Sequence, residues 1–482
     1  MAVNYEHIDY VNNVSVWVKN RDCYLGDKAI KDKGEDYLPK LSGHTTDEYE
    51  SYKYRGLFVN YTRLTADGMI GQLLRKEPTI EGLNNIEITN IDGLGGTEYN
   101  LFRRGTRELI VPGRVGLFVD YYVTDAESIE EMESKGEKAY ITTWRPESII
   151  NWKTAVLNGK NQLVLVVLKE TISDYMKDEF EPEHQTIYKV LKLSNGIYIQ
   201  EIWIEQENDI TKEKEFVKQN TITPLLNGKT IDFIPFWIVN TFGIGTEVEP
   251  SAINDLCDVN ISHYLNTCDN EHELFWCSVK TPVFPGHDPD AAIMIGKPVT
   301  CDGGKDSALP YILEAKSKSA ISEEMVKKEQ RMSAIGSSLI TGRGRYIASA
   351  ETSRIQANSE TSILAHLSNV LSDAYSEVLT FWSKWNGYSQ DVKVTFNKDF
   401  EEMQLDTRKA VELSTLVSTG FLSNKAYFYN MKKGEYYPHE WTYEDEQAEI
   451  EQDKENRMLE GGFNVPQDMQ NTEETEEENE TN

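Results

Sequence analysis

The most regular pattern of apolar positions lies between Ser251 and Trp385. From Ser251 to about Val279, Ile253, Cys257, Ile261, Tyr264, Cys268, His272 and Phe275 recur at steps of four and three, which places one narrow stripe along a helix face. Asp255, Asp258, Asp269, Glu271 and Glu273 fall largely off that stripe. At 1.5 Å per residue the predicted helix is roughly 40 Å long. The stretch from Lys280 to Leu313 is rich in proline and glycine and cannot continue it. Helical spacing resumes from Ser317 to about Ile335. It returns from Ala350 to Trp385 with Ile363, Leu367, Leu371, Ala374, Val378, Trp382 and Trp385, a helix of roughly 50 Å if unbroken. Helices this long with narrow stripes need neighbours, in a bundle, a coiled coil or a ring of subunits. The competing reading is a large α+β domain that buries a helical hairpin in its own core.

Elsewhere the pattern changes twice. Residues 1 to about 80 read as mostly helical, with Thr46 as an N-cap before Asp47-Glu48-Tyr49-Glu50 and an apolar run from Leu57 to Leu74 that ends at Pro78. Residues 98 to 240 read as β-rich. Val115–Tyr122, Gln162–Leu168 and Ile234–Val239 are strand-like, and His184–Glu205 reads as a hairpin turning at Ser194-Asn195-Gly196. A short strand is predicted from Val392 to Phe396, and helical periodicity returns from Glu402 to Lys433. After Gly461 the chain is rich in Glu, Asn and Thr and almost free of apolar side chains, the composition of a disordered segment.

The chain of 482 residues carries a formal net charge of −31. Sixteen acidic residues from Glu440 onward, against Lys454 and Arg457, supply a large part of it. A conventional nucleic-acid binder shows a basic footprint, because phosphate neutralisation supplies most of its affinity. This composition excludes tight binding of that kind, yet it suits a surface that lets DNA pass without holding it. The same charge also serves a soluble acidic protein that it merely keeps dispersed. No signal peptide or membrane span is expected. The five cysteines, Cys23, Cys257, Cys268, Cys277 and Cys301, show no Cys-x-x-Cys spacing. They read as reduced, mostly buried apolar groups made in a cytosolic setting.

Catalytic patterns are broken wherever they begin. Gly303-Gly304-Lys305 lacks the upstream glycine of a phosphate-binding loop, with Asp306 where Ser or Thr belongs. Gly243 and Gly245 start a dinucleotide fingerprint that Val248 ends, and His272-Glu273 starts a zinc-protease motif that Trp276 ends. No catalytic residue, cofactor or metal site is expected. One feature opposes the acidic background: Gly342-Arg343-Gly344-Arg345-Tyr346, in the break before the longest helix. Two arginines in a Gly-rich loop suit a phosphate backbone; a solvated loop, or arginines paired with a neighbour's carboxylates, is the alternative.

Several stretches, in order, carry a resemblance. They are Tyr49–Arg55 through Arg75-Lys76-Glu77-Pro78, Gly113–Asp120, Arg145–Trp152, His263-Tyr264-Leu265-Asn266 through Thr281-Pro282-Val283, Glu351–Ile355 and Gly420–Lys425. Together they span roughly residues 5 to 435. On them the chain resembles a divergent subfamily of tailed-bacteriophage portal proteins, the head-to-tail connectors. The resemblance implies an α+β subunit with a wing, a two-helix stem, a short clip, a long kinked tunnel helix and a helical crown. The wing would be residues 1–250, a helical part followed by a β-rich part. The stem helices would be 251–279 and 317–340, the clip 280–316, and 341–401 would hold the tunnel loop, long helix and wing strand. The crown would be 402–460, followed by a disordered acidic tail, 461–482. The stripe Ile253, Cys257, Ile261, Tyr264, Cys268 and Phe275 would pack the stem, and Arg343 and Arg345 would face DNA in the tunnel.

The function implied is a non-enzymatic, dodecameric ring at one capsid vertex of the virion, assembled in the bacterial cytoplasm. It would conduct double-stranded DNA without sequence specificity during packaging, retention and ejection. The implied partners are further copies of the chain, the major capsid protein with a scaffolding protein, the terminase large subunit, and then a head-completion or tail adaptor protein. No membrane is involved. The alternatives are another virion component, such as a tail adaptor or minor capsid protein, or an acidic enzyme with an unrecognised site.

Overall fold

The computed structural model describes residues 3–83, 90–121, 138–157, 159–174, 180, 183–207, 214–226, 228–278, 281–283, 311–313, 319–341, 350–388, 390–398, 400, 407–433, 436–437 and 441–460. Among them are eleven α-helices and fifteen strands. The chain divides into two compact units, Met1–Phe400 and Glu401–Asn482.

The first unit begins with four helices, α1 (Ile8–Leu25), α2 (Asp27–Lys33), α3 (Thr46–Arg55) and α4 (Tyr61–Leu73). The cap of α3 is Thr45 and not Thr46. Thr45 Oγ1 accepts from the Glu48 amide at 3.3 Å, and the Glu48 carboxylate accepts from the Thr45 amide at 2.8 Å. The box needs Glu three residues after the cap, and only Thr45 has that spacing. A second correction falls in the segment read as β-rich, where α5 (Glu98–Ile110) stands, capped by Thr97.

The core sheet has the order β12-β11-β2-β3, all antiparallel, from β2 (Arg114–Asp120), β3 (Tyr140–Trp144), β11 (Phe236–Asn240) and β12 (Gly243–Ile244). Every residue of β2 is buried, as a strand covered on both faces must be. An antiparallel meander of β4 (Ile149–Leu157), β5 (Lys160–Asp174), β6 (Glu183–Ser194), β7 (Ile197–Glu207) and β8 (Lys214–Ile222) forms a second sheet. Its β6–β7 turn is the expected Asn195-Gly196, with φ of 52° and 78°. Both lie in the left-handed region that a two-residue hairpin turn requires. Asp120, at the end of β2, joins the two sheets. Its carboxylate accepts from Gln200 Nε2 at 2.8 Å and from Lys189 Nζ at 3.2 Å. A ribbon of β9 (Leu225–Leu226) and β10 (Lys229–Thr230) follows.

Three helices complete this unit: α6 (Asn254–Ser278), α7 (Ser319–Thr341) and α8 (Ala350–Trp385). Between α6 and α7, β13 (Thr281–Val283) pairs antiparallel with β14 (Tyr311–Leu313). From Leu364 onward α8 is the spine of the core. Tyr375 Oη donates to the Leu101 carbonyl at 3.0 Å and Trp382 Nε1 to the Ala139 carbonyl at 2.6 Å. After α8, β15 (Lys393–Thr395) returns to pair with β1 (Thr79–Glu81).

The second unit contains α9 (Thr407–Ser418), α10 (Asn424–Lys433) and α11 (Tyr443–Glu460). The last of these was not anticipated by periodicity. Thr442 and Asp445 form its capping pair, with the Asp445 amide donating to Thr442 Oγ1 at 3.1 Å. Phe428 packs against Tyr437 at 4.7 Å and Tyr443 at 5.6 Å between ring centroids. Glu446 accepts from Tyr437 Oη at 3.0 Å and Trp441 Nε1 at 3.1 Å, tying α11 to the preceding turn.

Candidate functional site

The hairpin of α6 and α7 is joined by polar contacts that rise along one helix as they descend along the other, so the two run antiparallel. Lys328 Nζ donates to the Ser262 carbonyl at 3.0 Å, to Ser262 Oγ at 2.8 Å and to Asn266 Oδ1 at 3.0 Å. His263 Nε2 lies 3.2 Å from Glu329 Oε1, and Ser322 Oγ donates to Asn270 Oδ1 at 3.1 Å. The apolar stripe of α6 faces the N-terminal helices instead. Ile253, Cys257, Tyr264 and Cys268 are fully buried there, Ile261 is half-buried, and Phe275 is exposed with the Arg55 guanidinium 3.6 Å from its ring centroid.

Three features fix the base of the hairpin. Asn260 is buried; its Oδ1 accepts from the Thr62 amide at 3.2 Å and from Thr62 Oγ1 at 3.0 Å, and its Nδ2 donates to the Val59 carbonyl at 2.8 Å. Gly56 lies so close to Cys268 that a Cβ there would collide with its sulfur. Gly68 on α4 and Gly336 on α7 let those two helices approach closely: an added Cβ would meet Ile340 Cδ1 and Thr65 Oγ1, each at 2.5 Å. Burial pushes the Cys268 thiol up to about 11. Nearby, Cys23 donates to the Cys257 carbonyl, and its hydrogen bonding with Cys257, then burial, raises its pKa above the ordinary value.

Away from the base this support ends. On α6 no described residue after Cys268 is buried, and on α7 none before Met332 is. Leu274, Phe275 and Trp276 are 46%, 40% and 54% exposed, and Val326 is 50% exposed. Beside this half sits a ring cluster. Trp276 Nε1 donates to His272 Nε2 at 2.9 Å, and His272 packs against Tyr52 and His44 at 5.3 and 5.6 Å between centroids. Burial first, then the nearby His44 and Arg55, lowers the His272 pKa below its ordinary value.

Arg343 and Arg345 lie outside the described residues, as do most of residues 280–316 and all of 461–482. Sequence reading missed Asn260, His263 and Lys328. Its available signal was Asn260, His263 and Thr267, polar residues at steps of three and four on a helix, a second stripe beside the apolar one. Among the described residues, no group of three or more His, Cys, Asp or Glu side chains could hold a metal ion. Nor is any described helix long and apolar enough to cross a membrane.

Residues 252–386, from just before α6 to just after α8, match a family model described as a domain of unknown function, DUF4055. No curated protein matches the chain. Among solved structures, one similar chain is from the neck of a native GTA particle computed with C12 symmetry. It shares 12% identity at a TM-score of 0.33, over 78% of this chain and 88% of that one. A chain from the virion of a native gene transfer agent particle shares 12% identity at a TM-score of 0.35, over 82% and 96%. A third, from the neck of an empty GTA particle computed with C6 symmetry, shares 11% identity at 0.34, over 83% and 96%.

Proposed function

We propose that the chain is a portal-type subunit. Copies of it form a ring-shaped channel at one capsid vertex, through which double-stranded DNA is packaged, held and ejected. The observation that carries this reading is the α6–α7 hairpin, anchored at its base by Asn260, Cys268 and Gly56 and uncovered along its distal half. A helix pair of this length, with Leu274, Phe275, Trp276 and Val326 exposed, is stabilised when neighbouring copies cover it, and head-to-tail contacts that close make rings. The ordered sequence resemblance to portal proteins supports the same reading.

In this reading α6 and α7 are the stem and the ribbon of β13 and β14 begins the clip, where the terminase and later an adaptor dock. Residues 1–250 with β15 are the wing, and 402–460 the crown. Arg343 and Arg345 brush passing phosphates without reading bases. The ring has twelve copies, the number that the portal resemblance implies. Chemistry is left to the separate terminase.

Negative-stain images of the purified full chain, together with its mass in solution, test this directly. Closed rings with a central channel are expected. A monomer across the micromolar range, with no rings on the grid, sinks the reading.

A further inference from the structure

The far end of α6 is fastened from outside its hairpin. His272 Nε2 accepts from Trp276 Nε1 at 2.9 Å, so the neutral imidazole carries its proton on Nδ1. That Nδ1 is buried with no hydrogen-bond partner among the described residues, and the same holds for His44 Nδ1. The His44 ring lies 5.6 Å from His272 between centroids, and the two meet the Tyr52 ring at 5.6 and 5.3 Å. Further along, the Arg55 guanidinium covers Phe275. By these contacts α3 and the residues just before it hold α6 beyond Cys268, where no described residue is buried.

The charged groups around His272 offer a second proton no partner. His44, Glu48 and Arg55 face it from α3 and its cap, and Asp269 from α6 itself. Both carboxylates are held by other donors. Glu48 accepts from the Thr45 amide and hydroxyl at 2.8 and 3.0 Å, and Asp269 accepts from Tyr52 Oη at 2.6 Å. Glu271 and Glu273 project about 100° to either side of His272 on the helix. Asn270, bonded to Ser322 of α7, stands about 160° away. A proton on Nε2 turns the acceptor for Trp276 into a donor facing a donor, and it sets a cation beside Arg55. Burial, then His44 and Arg55, accordingly hold the His272 pKa below its ordinary value.

We propose that His272 is an acid-sensitive latch. Neutral, it holds the last turns of α6 against α3. Protonated, it expels Trp276, releases those turns and uncovers Tyr52, which is buried while the latch is closed. Every group in the latch belongs to one copy, so it does not depend on the ring reading. What it controls is an aromatic surface on the distal hairpin, closed near neutral pH and open in acid.

The test follows amide hydrogen exchange of the full chain in peptides covering 269–278 and, as an internal reference, 254–267. Rates at about pH 7.5 and about pH 5 bracket the ordinary histidine range and are corrected for the intrinsic effect of pH on exchange. Protection of 269–278 is expected to fall at least about threefold in acid, while the reference keeps its own. His272→Gln supplies an acceptor that takes no proton, and should keep 269–278 protected at both pH values. Deuterium uptake at the His272 imidazole C2, read by peptide mass across pH, gives the titration of the ring itself. Its midpoint should match that of the lost protection. Protection that ignores pH overturns the proposal, and so does a fall shared by the reference peptide or by His272→Gln. If the Gln variant is unprotected at both pH values, the imidazole titration decides. A midpoint matching the parent's loss of protection upholds the latch, and a mismatch overturns it.

Discussion

The guanidinium of Arg114 lies 4.3 Å from the centre of the Trp152 ring, on which His7 also stacks at 4.3 Å. Arg114 is fully buried. Burial lowers its pKa to about 10, and its Nη1 donates to the Thr246 carbonyl at 3.0 Å. Two stretches that carry the portal resemblance, Gly113–Asp120 and Arg145–Trp152, thus meet through a cation and an indole. Arg114→Ala removes the stack and empties its volume, and should cost about 2–4 kcal/mol. Combined with Trp152→Leu in a double-mutant cycle, it should show a coupling of about 0.5–2 kcal/mol. Denaturant midpoints measure both, and additive losses would show that the pair does not interact.

Gly105 sits on α5 where an added Cβ would strike the Tyr375 hydroxyl. In a free helix Gly→Ala gains about 0.5–1 kcal/mol. Here Gly105→Ala should instead lose about 1–3 kcal/mol through overpacking. Gly71→Ala on α4 faces open space and should show the ordinary gain. Melting of the two variants side by side decides the matter, and a stabilised Gly105→Ala would contradict the packing.

His272 should make stability depend on pH. Its folded pKa lies below the unfolded value of about 6.5, so the unfolded chain takes up the proton first as pH falls. The His272 contribution is full above about pH 6.5 and declines as pH drops toward the folded pKa. Protonation also removes the Nε2 lone pair that accepts from Trp276. His272→Gln should flatten this part of the stability profile between about pH 7 and 5 relative to the parent. An unchanged slope would show that His272 does not contribute.

Thiol labelling should divide the cysteines. Cys268 is buried and its pKa is raised to about 11, so its thiolate is scarce at pH 8. Cys277 is half-exposed. Native protein treated briefly with iodoacetamide should carry label at Cys277 well before Cys268, as read by peptide mass. Equal rates would mean that the base of the hairpin opens freely.

Long elements with intact apolar stripes were readable without coordinates. The helix predicted over Ala350–Trp385 has those same limits, because no Pro or Gly interrupts it and its apolar stripe runs on from Ile363 to Trp385. The turn at Asn195-Gly196 was readable because few residues tolerate two successive left-handed conformations. By contrast α5 was hidden. The middle of its buried face is Gly105, Thr106 and Glu108, small or charged residues that break the apolar pattern. Gly105 is there for Tyr375. Glu108 is there for Arg21, whose Nη2 binds its carboxylate at 2.6 Å. The polar rungs between α6 and α7 were equally hidden, since His263 and Glu329 lie 66 positions apart and no local period links them.

The pairing of β1 with β15 also bears on when the molecule can become itself during synthesis. Asn397 Nδ2 donates to the Gln72 carbonyl across 325 residues of sequence, close to where Thr79 pairs with Thr395. A ribosome adding about 5–20 residues per second takes roughly 15–65 s to cross that interval. Throughout it, α4 and the edge of β1 wait for partners not yet made. The first unit closes only as its last strand emerges, after β1 has waited through most of the chain's synthesis.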